Sequence, residues 1–372
     1  MRRIHFTLFA LGFRPFFLMA GIFAVILMAL WAGAFVTNRP LTTYYGMTGW
    51  HSHEMIFGYA CAVIAGFLLT AVRNWTGMET AKGPPLAGLS ALWLAGRIMP
   101  FFPGGLPPWL IALVDLLFLP ALALSLAIPL VRGGQKRNLF FIPLLSAFAL
   151  ADLLVHLELF GFAYGSARAG NFLALDLIIL LIVIMGGRVI PFFTERALSG
   201  VSPKKWQWLE WSSIASVIAF MLAELFLPGS IPAGVMAGLA AASNGLRLAG
   251  WYTKRFWAVP LLWVLHLGYA WVVVGFCLKT LAVLDLVPPQ LTLHAFTVGG
   301  IGVLTLGMMA RVSLGHTGRP LKAAGPVAFA FALINLAAVL RGIVPIIFPY
   351  WFLQLAALSG GLWILSFLIF VV

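Results

Sequence analysis

The sequence predicts an all-α membrane protein, a bundle of about twelve transmembrane helices that forms a single domain over residues 1–372. Three observations predict it. The composition is 62% hydrophobic and 9% charged, with a mean hydropathy of +1.04, which leaves too few charged side chains to cover a water-soluble fold of 372 residues. The apolar residues fall in runs close to the ~20 residues that a bilayer requires. Lys and Arg are scattered singly among the connections, so the net charge of +13 reads as membrane topology and argues against a nucleic-acid partner.

Taken in order, the first run (14–37) is long enough to remain as a span rather than a cleaved signal. The second (53–73) follows a polar group and ends at Arg73-Asn74-Trp75-Thr76-Gly77. A short third run (86–100) stands between two turns, Lys82-Gly83-Pro84-Pro85 and Phe102-Pro103-Gly104-Gly105. The fourth and fifth (108–131 and 139–160) are separated by Arg132, Lys136 and Arg137. Lys204 and Lys205 divide the sixth (171–191) from the seventh (207–227), and Lys254 and Arg255 divide the eighth (231–250) from the ninth (256–281). Arg319 and Lys322 separate the tenth (290–311) from the eleventh (325–346), and the twelfth covers 350–372. Cys61 and Cys277 lie inside apolar runs without CxxC spacing and read as packing residues.

Orientation follows from charge. With the N-terminus in the cytoplasm, the tail residues Arg2 and Arg3 and most other basic residues fall on the cytoplasmic side; Arg39, Arg97, Arg168, Lys279 and Arg341 alone face outward. This asymmetry predicts that both termini are cytoplasmic. It also sorts the histidines by depth. His51, His53, His156 and His294 belong to the outer half, His266 lies about ten residues into its helix, and His316 and His5 are on the inner side.

The motif around which the chain is organised is Trp50-His51-Ser52-His53-Glu54-Met55. Imidazoles and a carboxylate at the mouth of a membrane helix are costly unless they bind something, and a metal or haem iron suits them. A second stretch has the same layout: His53 lies 23 residues before Thr76, and His294 lies 23 before Thr317. Gly58, Gly66 and Gly77 correspond to Gly299, Gly307 and Gly318. His53 and His294 are therefore expected to be opposed axial ligands of one b-type haem. On a helix His51 and His53 diverge by about 200°, so they are expected to do two jobs. His51 is assigned to copper together with His266, whose neighbour Tyr269 shares its face at i, i+3. Glu54 and Tyr269 are candidates for delivering protons. The alternative is that the His-Ser-His-Glu group is an interfacial anchor and that His266 is bonded to a neighbouring carbonyl. His156 resembles a satisfied buried or interfacial histidine more than a ligand.

A second constellation, Arg14, Arg73, Arg188, Arg311 and Arg319, marks the inner helix ends. Guanidinium groups there can hold haem propionates or anionic lipid headgroups. His316, in a chain expected to have left its helix after Arg311, is the candidate axial ligand of a second haem.

The motifs GFRPFF, WHSHEMIFGY, AGFLLTAVRNWTG, LWLAGR, GGRVIPFFT, HLGYAW, LHAFTVGGIG and RVSLGHTGRPL resemble those of the NnrS family of bacterial inner-membrane proteins, over about Leu11 to Arg341. The family pattern has proline where this chain has Arg73. The resemblance implies a protein of the nitric oxide response, with twelve spans, haem b and copper. The expected function is binding of nitric oxide and its reduction, two molecules to nitrous oxide, in protection against nitrosative stress, with an unidentified electron donor. A non-catalytic scavenger or sensor, or a haem- or copper-handling protein, is the alternative. A transporter is a third class, supported only by the paired layout.

Overall fold

The computed structural model describes residues 7–372, so the tail residues Arg2, Arg3 and His5 lie outside the described residues. Helices dominate and, among the described residues, no strand occurs. Twelve long helices follow one another: α1 Phe13–Thr37, α2 Gly46–Thr76, α3 Pro84–Ile98, α4 Pro108–Arg132, α5 Phe141–Leu159 and α6 Ser166–Ala197. Then come α7 Gln207–Phe226, α8 Ile231–Trp251, α9 Pro260–Val283, α10 Pro289–His316, α11 Gly325–Gly342 and α12 Phe352–Val371. Ten of these segments are long and apolar enough to cross a membrane. The two others are α3, with 15 residues, and α8, whose hydropathy is lowered by Asn244 and Arg247.

Proline marks where helices can start, because its missing N–H falls where no intrahelical partner exists. It opens α3, α4, α9 and α10. A left-handed glycine follows both α2 and α10, Gly77 (φ +67°) as the cap itself and Gly318 (φ +70°) one residue beyond the Thr317 cap, a conformation that a residue with Cβ adopts only at a cost.

Packing divides the chain into two compact units, one running to Leu177 and one from Ile178 to Val372, with α6 crossing the division. In the first unit α1 packs along α2, α2 against α4, α3 against α4, and α4 against α5. α2 is its centre, with 89% of its most apolar window buried. In the second unit α7 packs on α8, α8 on α9, α9 on α10, α10 on α11, and α11 on α12.

The two stretches with matching sequence layout share an unusual backbone. α2 widens into a π-helical stretch at Glu54–Ala60, and α10 does so at Ala295–Gly302. His53 and His294 are each the last residue before the widening. Such insertions re-aim side chains and free carbonyls from the regular ladder, and they recur at functional sites.

Candidate metal centre

His53, directly before the widening of α2, and Glu54, its first residue, face the interior of the first unit, where both are fully buried. Three other helices and one connection complete their surroundings. α3 contributes Arg97 near its end, α4 contributes Asp115, and α5 contributes Asp152 with His156 one turn later. Tyr44 and Tyr45 come from the segment that leads into α2. Arg97, Asp115, Asp152 and His156 are all at most 4% exposed.

His53 Nε2 lies 2.9 Å from Asp152 Oδ1 and 3.1 Å from Asp115 Oδ2. His156 Nε2 faces the same two oxygens, at 3.7 Å and 3.3 Å. Outside this ring of four atoms each group is held again. His53 Nδ1 meets Glu54 Oε1 at 3.2 Å, and a hydrogen bond of 3.3 Å joins His156 Nδ1 to the Tyr44 hydroxyl. The Tyr45 hydroxyl donates to Asp115 Oδ2 at 2.5 Å. Arg97 joins the layers, donating from Nη1 to Glu54 Oε2 at 2.8 Å and from Nη2 to Asp115 Oδ1.

Electrostatics makes the group demanding. Three carboxylates and one guanidinium share a low-dielectric interior, where an unbalanced charge costs several kcal/mol. The field reaches the edge of the site: burial, followed by the charges of Asp115 and Asp152, pushes the Tyr44 phenol up to about 12. Glycine is required alongside. A Cβ on Gly58 would stand 2.6 Å from Glu54 Oε2 and 2.9 Å from Arg97 Nη1, and the Gly58 carbonyl accepts from Trp93 Nε1 at 3.0 Å.

The remaining candidate residues are distributed as follows. α2 begins at Gly46, so His51 and His53 both lie within the helix, and the His51 ring stacks on Trp31 with centroids 4.2 Å apart. α9 begins at Pro260 rather than near residue 256, so His266 is six residues in, shallower than expected. Its Nδ1 donates to the Leu262 carbonyl at 3.0 Å, and its ring stacks on Phe256 at 4.3 Å. His266 Nε2 is buried and makes no hydrogen bond, although the Trp251 backbone lies near it. Tyr269 is engaged elsewhere, donating to Asn244 Oδ1 at 2.5 Å and accepting from Arg247 Nη1 at 3.0 Å. His294 Nδ1 donates to the Gln290 carbonyl at 2.7 Å.

The arginines expected at the inner helix ends have individual surroundings. Arg14 donates to the Thr7 carbonyl at 3.0 Å, and Arg73 donates to Glu79 at 3.0 Å. The Arg311 guanidinium lies 3.9 Å over the Phe193 ring. Arg188 is half-buried and Arg319 is exposed. α10 continues through His316, so this residue extends the helix instead of folding back after Arg311. The glycines before Arg188 have a packing reason: a Cβ on Gly186 would meet the Tyr269 ring at 2.9 Å, and one on Gly187 would collide with Arg247.

The sequence reading missed Asp115 and Asp152 and took Arg97 only as a topology marker. A signal was present. The chain has ten acidic residues, and these two stand inside apolar helices, where an ionisable side chain is by default a functional candidate. His156, expected to be a satisfied buried or interfacial histidine, is bonded to Asp115 and Tyr44 and belongs to the ring of four atoms.

A comparison with curated proteins gives no match. Residues 7–372 match the family described as NnrS protein, essentially the whole described chain. The chain thus belongs to the NnrS family, multi-pass membrane proteins of the nitric oxide response.

Proposed function

We propose that this protein, in the bacterial inner membrane, binds nitric oxide at haem b and copper and reduces two molecules, with two electrons and two protons, to nitrous oxide and water. The observation that carries the reading is the imidazole of His266. With Nδ1–H given to the Leu262 carbonyl, the lone pair is on Nε2, and that atom is buried with no well-formed hydrogen bond, the Trp251 backbone lying near it. A neutral imidazole oriented through its other nitrogen is the ordinary ligand of haem iron and of copper.

The residues fit such groups unequally. His266 fits by its orphaned Nε2, and His294 fits by the same Nδ1 bond to a carbonyl one turn back. His53 is less suited to a porphyrin, because two carboxylate oxygens stand within 3.1 Å of its Nε2. When bound, haem iron and copper would supply a site for nitric oxide, electron transfer and Lewis-acid stabilisation of developing negative charge. The chain's own part is to hold the imidazoles in one tautomer, to exclude water through burial, and to supply protons.

Binding without turnover is the second reading, and one observation favours it. Both candidate proton donors are engaged, Glu54 with Arg97 and His53, and Tyr269 with Asn244 and Arg247. Anaerobic nitrous oxide formation by the purified, reduced protein tests the distinction: catalytic formation supports the enzyme, and stoichiometric binding alone supports the scavenger. Loss of the reduced haem bands is expected in His294→Ala and loss of bound copper in His266→Ala, with the haem bands retained in His53→Ala. Unchanged haem bands in the first variant together with unchanged copper in the second would remove the ligand assignment.

A further inference from the structure

We infer that His53, Asp115, Asp152 and His156 form a closed site for one divalent first-row ion, best matched by zinc, distinct from any haem or copper that the protein holds. The inference rests on the first unit alone and does not depend on the haem reading.

Geometry is the first argument. Each of the four residues offers one donor atom, and the four atoms lie within 4.8 Å of one another. A tetrahedral ion with arms of about 2.0–2.1 Å has ligand–ligand edges of about 3.3 Å. Four of the six edges, those between His and Asp, are 2.9, 3.1, 3.3 and 3.7 Å, scattered around that value, and the His–His and Asp–Asp pairs lie within 4.8 Å.

Orientation is the second. Both imidazoles turn the same atom, Nε2, toward the centre, and both keep Nδ1 outward on a polar partner, Glu54 in one case and Tyr44 in the other. Asp115 is fixed from behind by Arg97 and from the side by Tyr45. Metal-ligating histidines and carboxylates are held in this way, since an outer hydrogen bond selects the tautomer and the ring angle.

Charge is the third. Glu54, Asp115 and Asp152 against Arg97 leave two negative charges uncompensated in an interior where every member is at most 4% exposed. One divalent cation removes the excess. The donor set then narrows its identity: two imidazole nitrogens and two carboxylate oxygens, with no thiolate or thioether, suit zinc or ferrous iron better than cuprous copper. With four protein donors and complete burial the site has no open position, which is the design of a structural ion that ties helices together. Here it ties α2, α4 and α5.

Two imidazolium groups would balance the same charge without a metal, so the test must separate a bound ion from protons. The full-length protein is purified in detergent from zinc-limited cells, and zinc uptake and thermal unfolding are followed as Zn2+ is added. The expected result is saturation at about one zinc per chain, with proton release and a rise in the unfolding temperature that stops at the same equivalence. Asp152→Asn and His156→Gln should bind at least about tenfold less zinc. Tyr45→Phe, which keeps the four donors, should weaken affinity about 10–100-fold as a positioning change. No uptake by the wild-type protein, or equal uptake by the variants, would overturn the site, and the wild-type titration decides even if the variants fail to fold. Haem measured in the same samples separates the two readings: a protein without haem that still takes up zinc refutes the haem reading alone.

Discussion

Asp152 and His156 stand one turn apart on α5 and address the same point from which α2 presents His53, with His53 Nε2 2.9 Å from Asp152 Oδ1 and His156 Nε2 3.7 Å from it. The i, i+4 spacing of a single helix thus supplies half of the donor ring, one oxygen and one nitrogen. α2 and α4 supply the other half.

Arg97 is the hinge of the charge balance, since its guanidinium bonds both Glu54 and Asp115. Arg97→Met should leave these carboxylates buried without their guanidinium counter-charge, a loss of about 3–5 kcal/mol, seen as a fall in folded yield and in unfolding temperature. Arg97→Lys should recover only part of the loss, because a point-like ammonium cannot match a planar fork spanning two carboxylates. Removing Glu54 as well, in Arg97→Met with Glu54→Gln, should restore stability relative to Arg97→Met alone. Additive losses in that cycle would show that the two groups are not coupled.

Gly58 is expected to be intolerant because of what lies beside it rather than because of its backbone. Gly58→Ala places a methyl 2.6 Å from Glu54 Oε2 and 2.9 Å from Arg97 Nη1. Overpacking of this kind costs about 1–3 kcal/mol. Gly88→Ala, with nothing within 4 Å of the new carbon, is the control and should change the unfolding temperature little. Equal effects in the two variants would contradict the packing argument.

Tyr44 makes a pH-dependent contribution whose sign follows from its upward shift to about 12, caused by burial and then by the charges of Asp115 and Asp152. Because the folded value lies above the ordinary 10.0, the stabilisation is fully present below about pH 10 and is lost as pH rises toward 12. Thermal unfolding between pH 9 and 12 should therefore show an alkaline loss that is smaller in Tyr44→Phe. A Tyr44→Phe profile parallel to wild type would assign the loss to other groups.

Topology can be tested independently of the metals. The distribution of Lys and Arg predicts that both termini are cytoplasmic. A fluorescent protein fused after Val372 should fold and fluoresce, whereas alkaline phosphatase at the same place should be inactive. High phosphatase activity would reverse the assignment.

Hydropathy and charge by themselves determined the helical scaffold. A run of about 20 apolar residues has one stable solution in a bilayer, a helix that satisfies its own backbone, and the expected 108–131 and 231–250 agree with Pro108–Arg132 and Ile231–Trp251 to within a residue or two. The paired layout of His53 and His294 was also legible, because both stretches repeat their glycines at fixed offsets. What accompanies it, a π-helical widening directly after each histidine, was not, since such an insertion depends on the neighbours that accept the displaced side chains. Only tertiary structure decided the partners of His53. Asp115 and Asp152 lie 62 and 99 positions away on other helices, and in the sequence Asp115 is the single acid of its apolar run while Asp152 shares its run only with Glu158. Whether such an acid faces lipid, a neighbouring carbonyl or an imidazole is set by the rotation of its helix about its own axis. That rotation is fixed by the packing of α2 against α4 and of α4 against α5, which no single helix encodes.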